Sequence, residues 1–172
     1  MTTPTVDQAP VKPSPRLPPR WFIRGAWVGH RAIHRFSGGR RGLAVPKPGD
    51  QVGYLRLKTV GRRSGKARAA IIAYIEDGPN LVTLAMNGWS SPEPAWWLNL
   101  QADRDASVEL KIGSRPVRAR EATGQERDRL WNEVGKHSGY GDLDAFAVRR
   151  SGQTAVVVLE PRTDQLGTGS RS

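Results

Sequence analysis

The chain has 172 residues, about one domain's worth, and its 27 Lys and Arg against 16 Asp and Glu give a formal charge of +11. That excess calls for an anionic partner: a phosphorylated cofactor, a nucleic acid or a lipid surface. Cysteine is absent, which excludes disulfides, thiolate metal sites and a Cys nucleophile, and three His are all that remain for metal or base chemistry.

No apolar run approaches the roughly 18 residues of a membrane-spanning helix, and the first residues lack the apolar stretch of a signal peptide, so a cytoplasmic protein is expected. Residues 1–19 hold six of the thirteen prolines and few bulky apolar side chains, and are expected to form a flexible Pro-rich arm. Over residues 20–36, Trp21, Phe22, Val28, Ala32, Ile33 and Phe36 recur at helical spacing with Arg and His largely opposite, which predicts an amphipathic basic helix. Three roles stay open for it: packing on the folded body, a lid, or an interfacial anchor that places the protein peripherally on the anionic inner face of the cell membrane. Residues 1–50 carry nine basic against two acidic side chains, so most of the excess charge lies there.

Gly- and Pro-rich loops follow, and the folded body is expected over residues 50–161. Tyr54 to Thr59 alternates as a half-buried strand, Ala69 to Ile75 is a second strand, and Asn80 to Met86 a third. Ser90 to Pro94 reads as a helix start, with a Ser cap and an acidic residue in the first turn, leading into Trp96-Trp97-Leu98-Asn99-Leu100. Ser107 to Ile112 and Pro116 to Glu121 suit a hairpin about Gly113-Ser114. Thr123 and Glu126 have capping-box spacing at the head of a helix containing Leu130, Trp131 and Val134. Ala155 to Leu159 is wholly apolar and predicts a central strand buried on both faces, and the chain is expected to fray from Pro161 into a disordered tail at 162–172. Short strands in hairpins joined by a few helices describe an α+β or small-barrel domain.

Between Asp50 and Glu76 every charged residue is basic: Arg56, Lys58, Arg62, Arg63, Lys66 and Arg68. The turn Gly61-Arg62-Arg63-Ser64-Gly65-Lys66-Ala67-Arg68 joins two strands. Its glycines let the backbone bring N–H groups close to a ligand, and Ser64 and the Arg side chains can donate to phosphate oxygens. A solvated hairpin turn and a phosphate clamp are both compatible with these residues. A nucleotide-hydrolysing P-loop is not, because three residues rather than four separate the glycines and Ala67 stands where magnesium needs Ser or Thr. His30, His34 and His137 have no metal-like grouping with carboxylates, so no metal is expected.

Four separated motifs carry a resemblance. Leu57-x-Thr59-x-Gly61-Arg62-Arg63-Ser64-Gly65-Lys66-x-Arg68, then Ala95-Trp96-Trp97-Leu98-Asn99-Leu100, then Ala119-Arg120 with Glu126-Arg127 and Trp131, then Val156-Val157-Val158-Leu159-Glu160-Pro161 resemble the deazaflavin (F420)-dependent nitroreductase family, of the F420H2-dependent quinone reductase type. The resemblance implies a split β-barrel like that of FMN-binding proteins with flanking helices, reduced coenzyme F420 as hydride donor, and a quinone, nitroaromatic or activated enone as acceptor. F420 carries a phosphate and an oligoglutamate tail.

By the same resemblance, Arg62, Arg63 and Ser64 hold the phosphate and tail, and Arg68, Ala69, Ala70, Ile71, Ile72 and Ala73 run beside the cofactor. Leu84, Ala85, Met86 and Asn87 lie along the ring, and Ala95, Trp96, Trp97, Leu98 and Asn99 close the site. Trp27, Trp89 and Tyr140 are expected to face the acceptor, Tyr140 as a candidate proton donor. The chain departs from the family pattern at Ala67, Met86-Asn87, Trp97, His137 and Leu143, so the resemblance does not name the acceptor. A monomer is the expected state. A nonspecific nucleic-acid-binding basic module and a split barrel that holds FMN or haem are the competing readings.

Overall fold

The computed structural model describes residues 42–47, 52–87, 93–137, 143–148 and 152–162, without the side chain of Phe146. The expected arm at 1–19, the basic helix at 20–36, the caps Ser90 and Ser91, the tail beyond Arg162, and Trp27, Trp89 and Tyr140 lie outside these residues.

Alternation of buried and outward positions marks the first strand, β1 (Gly53–Val60), in which Leu55 and Leu57 are wholly buried while Tyr54, Lys58 and Val60 are exposed. It pairs with β2 (Ala67–Asp77), and β2 turns at Gly78 into β3 (Asn80–Leu84). Gly78 takes φ +59° at the first central position of that two-residue turn, a conformation glycine adopts without strain. A short helix, α1 (Ala95–Ala102), leads to the hairpin of β4 (Asp105–Leu110) and β5 (Gly113–Glu121). Then come α2 (Gly124–Gly135), α3 (Leu143–Ala147) and the last strand, β6 (Val156–Pro161).

All neighbouring strands are antiparallel, and they close a barrel in the order β1, β2, β3, β6, β5, β4. The α+β split barrel expected from the sequence is what forms. Inward side chains of all six strands make one core, which also takes in Trp96, Trp97 and Leu100 of α1. That helix is buried on most sides and plugs the barrel; the two indoles meet edge to face at 6.3 Å. A second core lies outside the barrel wall, where Leu130 and Val134, one turn apart on α2, pack with Val82, Leu84, Val156 and Val158. β6 therefore serves both cores, its odd residues facing the interior and its even ones the helix, as its unbroken apolar run predicts.

Four local expectations are corrected. The β4–β5 turn is at Lys111-Ile112, with Leu110 opposite Gly113, not at Gly113-Ser114. A slip of even length keeps each side chain on its own face, so alternation cannot tell the two registers apart. The helix α1 starts later than expected, with Pro94 at its N-cap and no acidic residue in its first turn. Thr123 is the N-cap of α2, but its side chain makes no capping bond, and the Glu126 carboxylate binds Arg120 instead. Pro161 is not frayed: it pairs with Val117, and beyond it the Arg162 N–H donates to Pro116 O at 3.1 Å.

Candidate functional site

The basic turn is the six-residue loop between Val60 and Ala67, the last pair of the β1–β2 ladder. It is internally bonded. The Gly61 N–H donates to Lys66 O at 2.9 Å, and the N–H groups of Ser64 and Gly65 donate to Gly61 O at 3.0 and 2.8 Å. Gly65 has φ +62°, and a Cβ on Gly61 would lie 2.9 Å from Ser64 Oγ and 3.2 Å from Lys66 O. Ser64 Oγ accepts from the Lys66 N–H and from Arg68 Nη2, each at 3.4 Å. The N–H groups of Gly61, Ser64, Gly65 and Lys66 are thus used in closing the loop, which leaves mainly side chains to face outward.

Those side chains are not neutralised. Of the six cations between Asp50 and Glu76, Arg56 and Lys58 pair with Glu109 at 3.5 and 3.2 Å. Arg62, Arg63, Lys66 and Arg68 are exposed and have no acidic partner among the described residues. The four uncompensated charges sit on one hairpin, a focused positive field that an anion would relieve.

Beside the loop, β2 has an open edge. β1 pairs with it from Tyr74 to Ala67, whereas β3 pairs only at Ile75, Glu76 and Asp77. Thr83 Oγ1 donates to Ala73 O at 2.8 Å, so the Ala73 carbonyl points to the β3 side. Residues two apart on a strand share that direction, and so Ala67, Ala69 and Ile71 turn their N–H and C=O groups to the open edge. Tyr54, opposite Ala73, exchanges both backbone bonds with Ala44 on the far side of β1, which fixes the same phase independently. These edge groups have no partner among the described residues. The expected strip Arg68 to Ala73 is split by the pleat: Ala69, Ile71 and Ala73 face outward, while Ala70 and Ile72 pack into the barrel core.

The segment after β3 divides in the same way. Leu84 belongs to the outer core and Ala85 to the inner one, with the Ala85 N–H donating to Ala155 O at 2.9 Å. Met86 is half-buried and Asn87 exposed, so these two are the side chains of the group that reach the surface.

Helix α1 packs on β1 and β2 and completes the neighbourhood. Ala95 is exposed, Leu98 half-buried, and Trp96 and Trp97 belong to the core. The Trp97 indole N–H is buried and has no partner among the described residues. Asn99 is buried beneath the loop: its Oδ1 accepts from the Arg62 backbone N–H at 3.2 Å and from Arg62 Nη1 at 3.4 Å. Its Nδ2 donates to Thr59 Oγ1 at 3.2 Å. Reading the sequence alone gives Thr59 no role beyond its place in a motif. The available signal was phase, because Thr59 is a hydroxyl at a position where alternation demands an inward apolar residue. No group of metal-ligating side chains occurs among the described residues.

The comparisons with known proteins agree with one another. Residues 29–161 match the model of the F420H(2)-dependent quinone reductase family. An F420H(2)-dependent quinone reductase of Mycobacterium tuberculosis is 30% identical over 151 residues, covering 83% of this chain and 97% of its own. A second M. tuberculosis protein, named as a candidate enzyme of the same kind, is 32% identical over 123 residues, covering 72% of this chain and 99% of its own. Among solved structures, an F420-H2 dependent reductase superposes with a TM-score of 0.55 at 24% identity, covering 69% of this chain and 100% of its own. Another, a domain-swapped dimer, superposes with a TM-score of 0.57 at 22% identity, covering 80% of this chain and 99% of its own. Both share the fold. The dimeric neighbour lends no support to the monomer expected from the sequence.

Proposed function

The chain belongs to the F420H(2)-dependent quinone reductase family, and from that premise we propose that its basic hairpin and the open edge of β2 together form the F420 site of an oxidoreductase acting on quinones. One observation carries the placement: four cations on the hairpin lack acidic partners, while the two on the neighbouring strand face are paired with Glu109. β4 supplies Glu109 to the strand cations but does not reach the loop, and an anionic cofactor arm of phosphate and glutamates would give the loop cations the partner that the fold does not.

The donor chemistry fits. Arg62, Arg63 and Arg68, with Lys66 and the Ser64 hydroxyl, would hold the phosphate and tail; each charge-assisted bond is worth about 1.5–3 kcal/mol, so three or four account for about micromolar binding. The free N–H and C=O groups of Ala67, Ala69 and Ile71 offer donors and acceptors in strand spacing to the polar edge of a flat heterocycle. The small outward side chain at Ala69 leaves room for it, whereas Ala73 packs on the outer core, and Met86 and Asn87 would flank it.

When bound, reduced F420 supplies a hydride to the quinone, and a proton completes the reduction to the quinol. The chain's own residues would bind and orient it: the hairpin would hold the anionic end, and the β2 edge would offer its N–H and C=O groups to the ring. The apolar plug of α1 excludes water from one side. Tyr140 is the proposed proton donor. Titration of the protein with F420 and with FMN, following quenching of tryptophan fluorescence, tests the reading. Micromolar binding of F420 with no comparable response to FMN is expected, and preference for FMN would overturn it.

A further inference from the structure

Asn99 is the one polar side chain of α1 that lies under the basic hairpin, and both ends of its amide are already engaged. Oδ1 takes two donors from Arg62, one from the backbone and one from the guanidinium, and Nδ2 gives one bond to Thr59. The side chain is 5% exposed and Thr59 is 6% exposed. Only the second Nδ2 N–H has no partner among the described residues. The amide acts on Arg62, which is otherwise an exposed side chain on a loop.

We propose that Asn99, held from below by Thr59, is a positioning residue that aims Arg62 at the cofactor's anionic arm. The inference rests on the placement of F420 at this hairpin given above. Its physical basis is pre-organisation. Arginine loses much side-chain freedom when it grips a ligand, and part of that loss is already met if the side chain is held beforehand. The internal bonds of the loop hold Gly61, Ser64, Gly65 and Lys66 to one another, whereas the Arg62 N–H is bonded outside the loop, to α1. One guanidinium N–H turned toward Asn99 leaves the remaining donors of the fork for an anion.

The chemistry of the three groups is mutually exclusive with other arrangements. Arg62 presents only donors, so the amide oxygen must face it; the amide nitrogen then faces Thr59 and needs an acceptor there. Thr59 occupies an inward position of β1, in phase with the buried Leu55 and Leu57, where valine would have the same shape but no acceptor. Its hydroxyl lies at one end of a chain of bonds linking the barrel wall, the plug helix and the binding loop.

The test is a double-mutant cycle read by equilibrium binding of F420, followed through tryptophan fluorescence, with thermal denaturation of the cofactor-free proteins as a second readout. Thr59→Val is expected to weaken F420 binding about threefold to tenfold, and Thr59→Ser, which keeps the hydroxyl, to stay within about twofold of wild type. In an Arg62→Ala background the Thr59→Val change is expected to have no further effect on binding, because the group it positions is gone. Asn99→Ala carries the same comparison should Thr59→Val not fold. An undiminished Thr59→Val effect in the Arg62→Ala background would overturn the proposal, as would wild-type affinity in Thr59→Val itself. Failure of the wild-type protein to bind F420 would instead remove the underlying site assignment, so the two failures are distinct.

Discussion

Arg120 on β5 grips Glu126 on α2 with two parallel bonds, Nη1 to Oε2 at 2.6 Å and Nη2 to Oε1 at 2.7 Å, while its Nε reaches Glu160 on β6 at 2.6 Å. One guanidinium thus ties the head of a helix to two adjacent strands. The Arg120 hydrogen bonds hold the Glu126 carboxyl below its ordinary value of 4.5. Replacing Glu126 with Gln is expected to cost about 1 kcal/mol for this partly exposed network, seen as a fall of about 2–4 °C in the thermal midpoint.

The same pair predicts a pH dependence. Asp77, hydrogen-bonded through both oxygens to Arg129 at 2.9 Å, is likewise held below its ordinary 3.8. A carboxyl whose folded value is depressed stabilises the fold fully above its unfolded value and loses that contribution as pH falls through the folded one. Stability should therefore decline on acidification below about pH 4.5, and more gently in a Glu126→Gln, Asp77→Asn double variant. Urea unfolding midpoints measured from pH 7 to pH 3 will show whether the two curves converge.

Arg68→Ala should weaken F420 binding about tenfold, which is ~1.4 kcal/mol, and make binding less sensitive to salt, since one fewer screened contact remains. Fluorescence titrations at two ionic strengths measure both effects. Unchanged affinity would move the phosphate away from this hairpin.

Two glycines separate binding from stability. Gly61→Ala puts a methyl 3.2 Å from Lys66 O, a backbone atom the loop needs, and should lower both the thermal midpoint and F420 affinity. Gly78→Ala forces a positive φ on alanine in the β2–β3 turn, at the opposite end of β2, with nothing within 4 Å of the new methyl. It should lower the midpoint by a similar amount, for a cost of about 1–2 kcal/mol, and leave affinity as it was. Equal losses of affinity in the two variants would mean that the loop has no special part.

Trp97 buries an indole N–H with no acceptor among the described residues, and an unmet buried N–H costs about 1–3 kcal/mol. Trp97→Phe removes that penalty along with some packing area, so the cofactor-free protein should keep its thermal midpoint within about 4 °C. If the N–H serves the cofactor, the further stabilisation that F420 confers should shrink. An identical F420-induced shift in both proteins would assign the indole to the core alone.

Much of this fold is legible in the residues because period and burial coincide. β6 could be read as doubly buried from an unbroken apolar run, and β1 from its alternation. Legibility fails where two solutions share a period. The β4–β5 turn is displaced without any side chain changing face, and Ile112 is left at an exposed tip. It fails again where a long-range partner outbids a local one, as Arg120 does for the Glu126 that capping-box spacing assigns to the backbone. At the candidate site, charge and glycine content single out the hairpin, but not that its amides close on themselves or that its Arg62 is tethered to Asn99, 37 residues away. Those facts depend on register and on the seating of α1, which no local pattern encodes.

β6 is the last strand in chain order, yet it sits between β3 and β5 and is paired along both edges. Until residues 156–161 have left the ribosome, the other strands can form hairpins but cannot close the barrel, and both of those edges stay bare. Contacts between segments this distant in the chain form slowly, so the nascent protein spends its most aggregation-prone interval waiting for its final strand. A chain stopped just before Val156 should be a substrate for chaperones and proteases, not a weakened reductase.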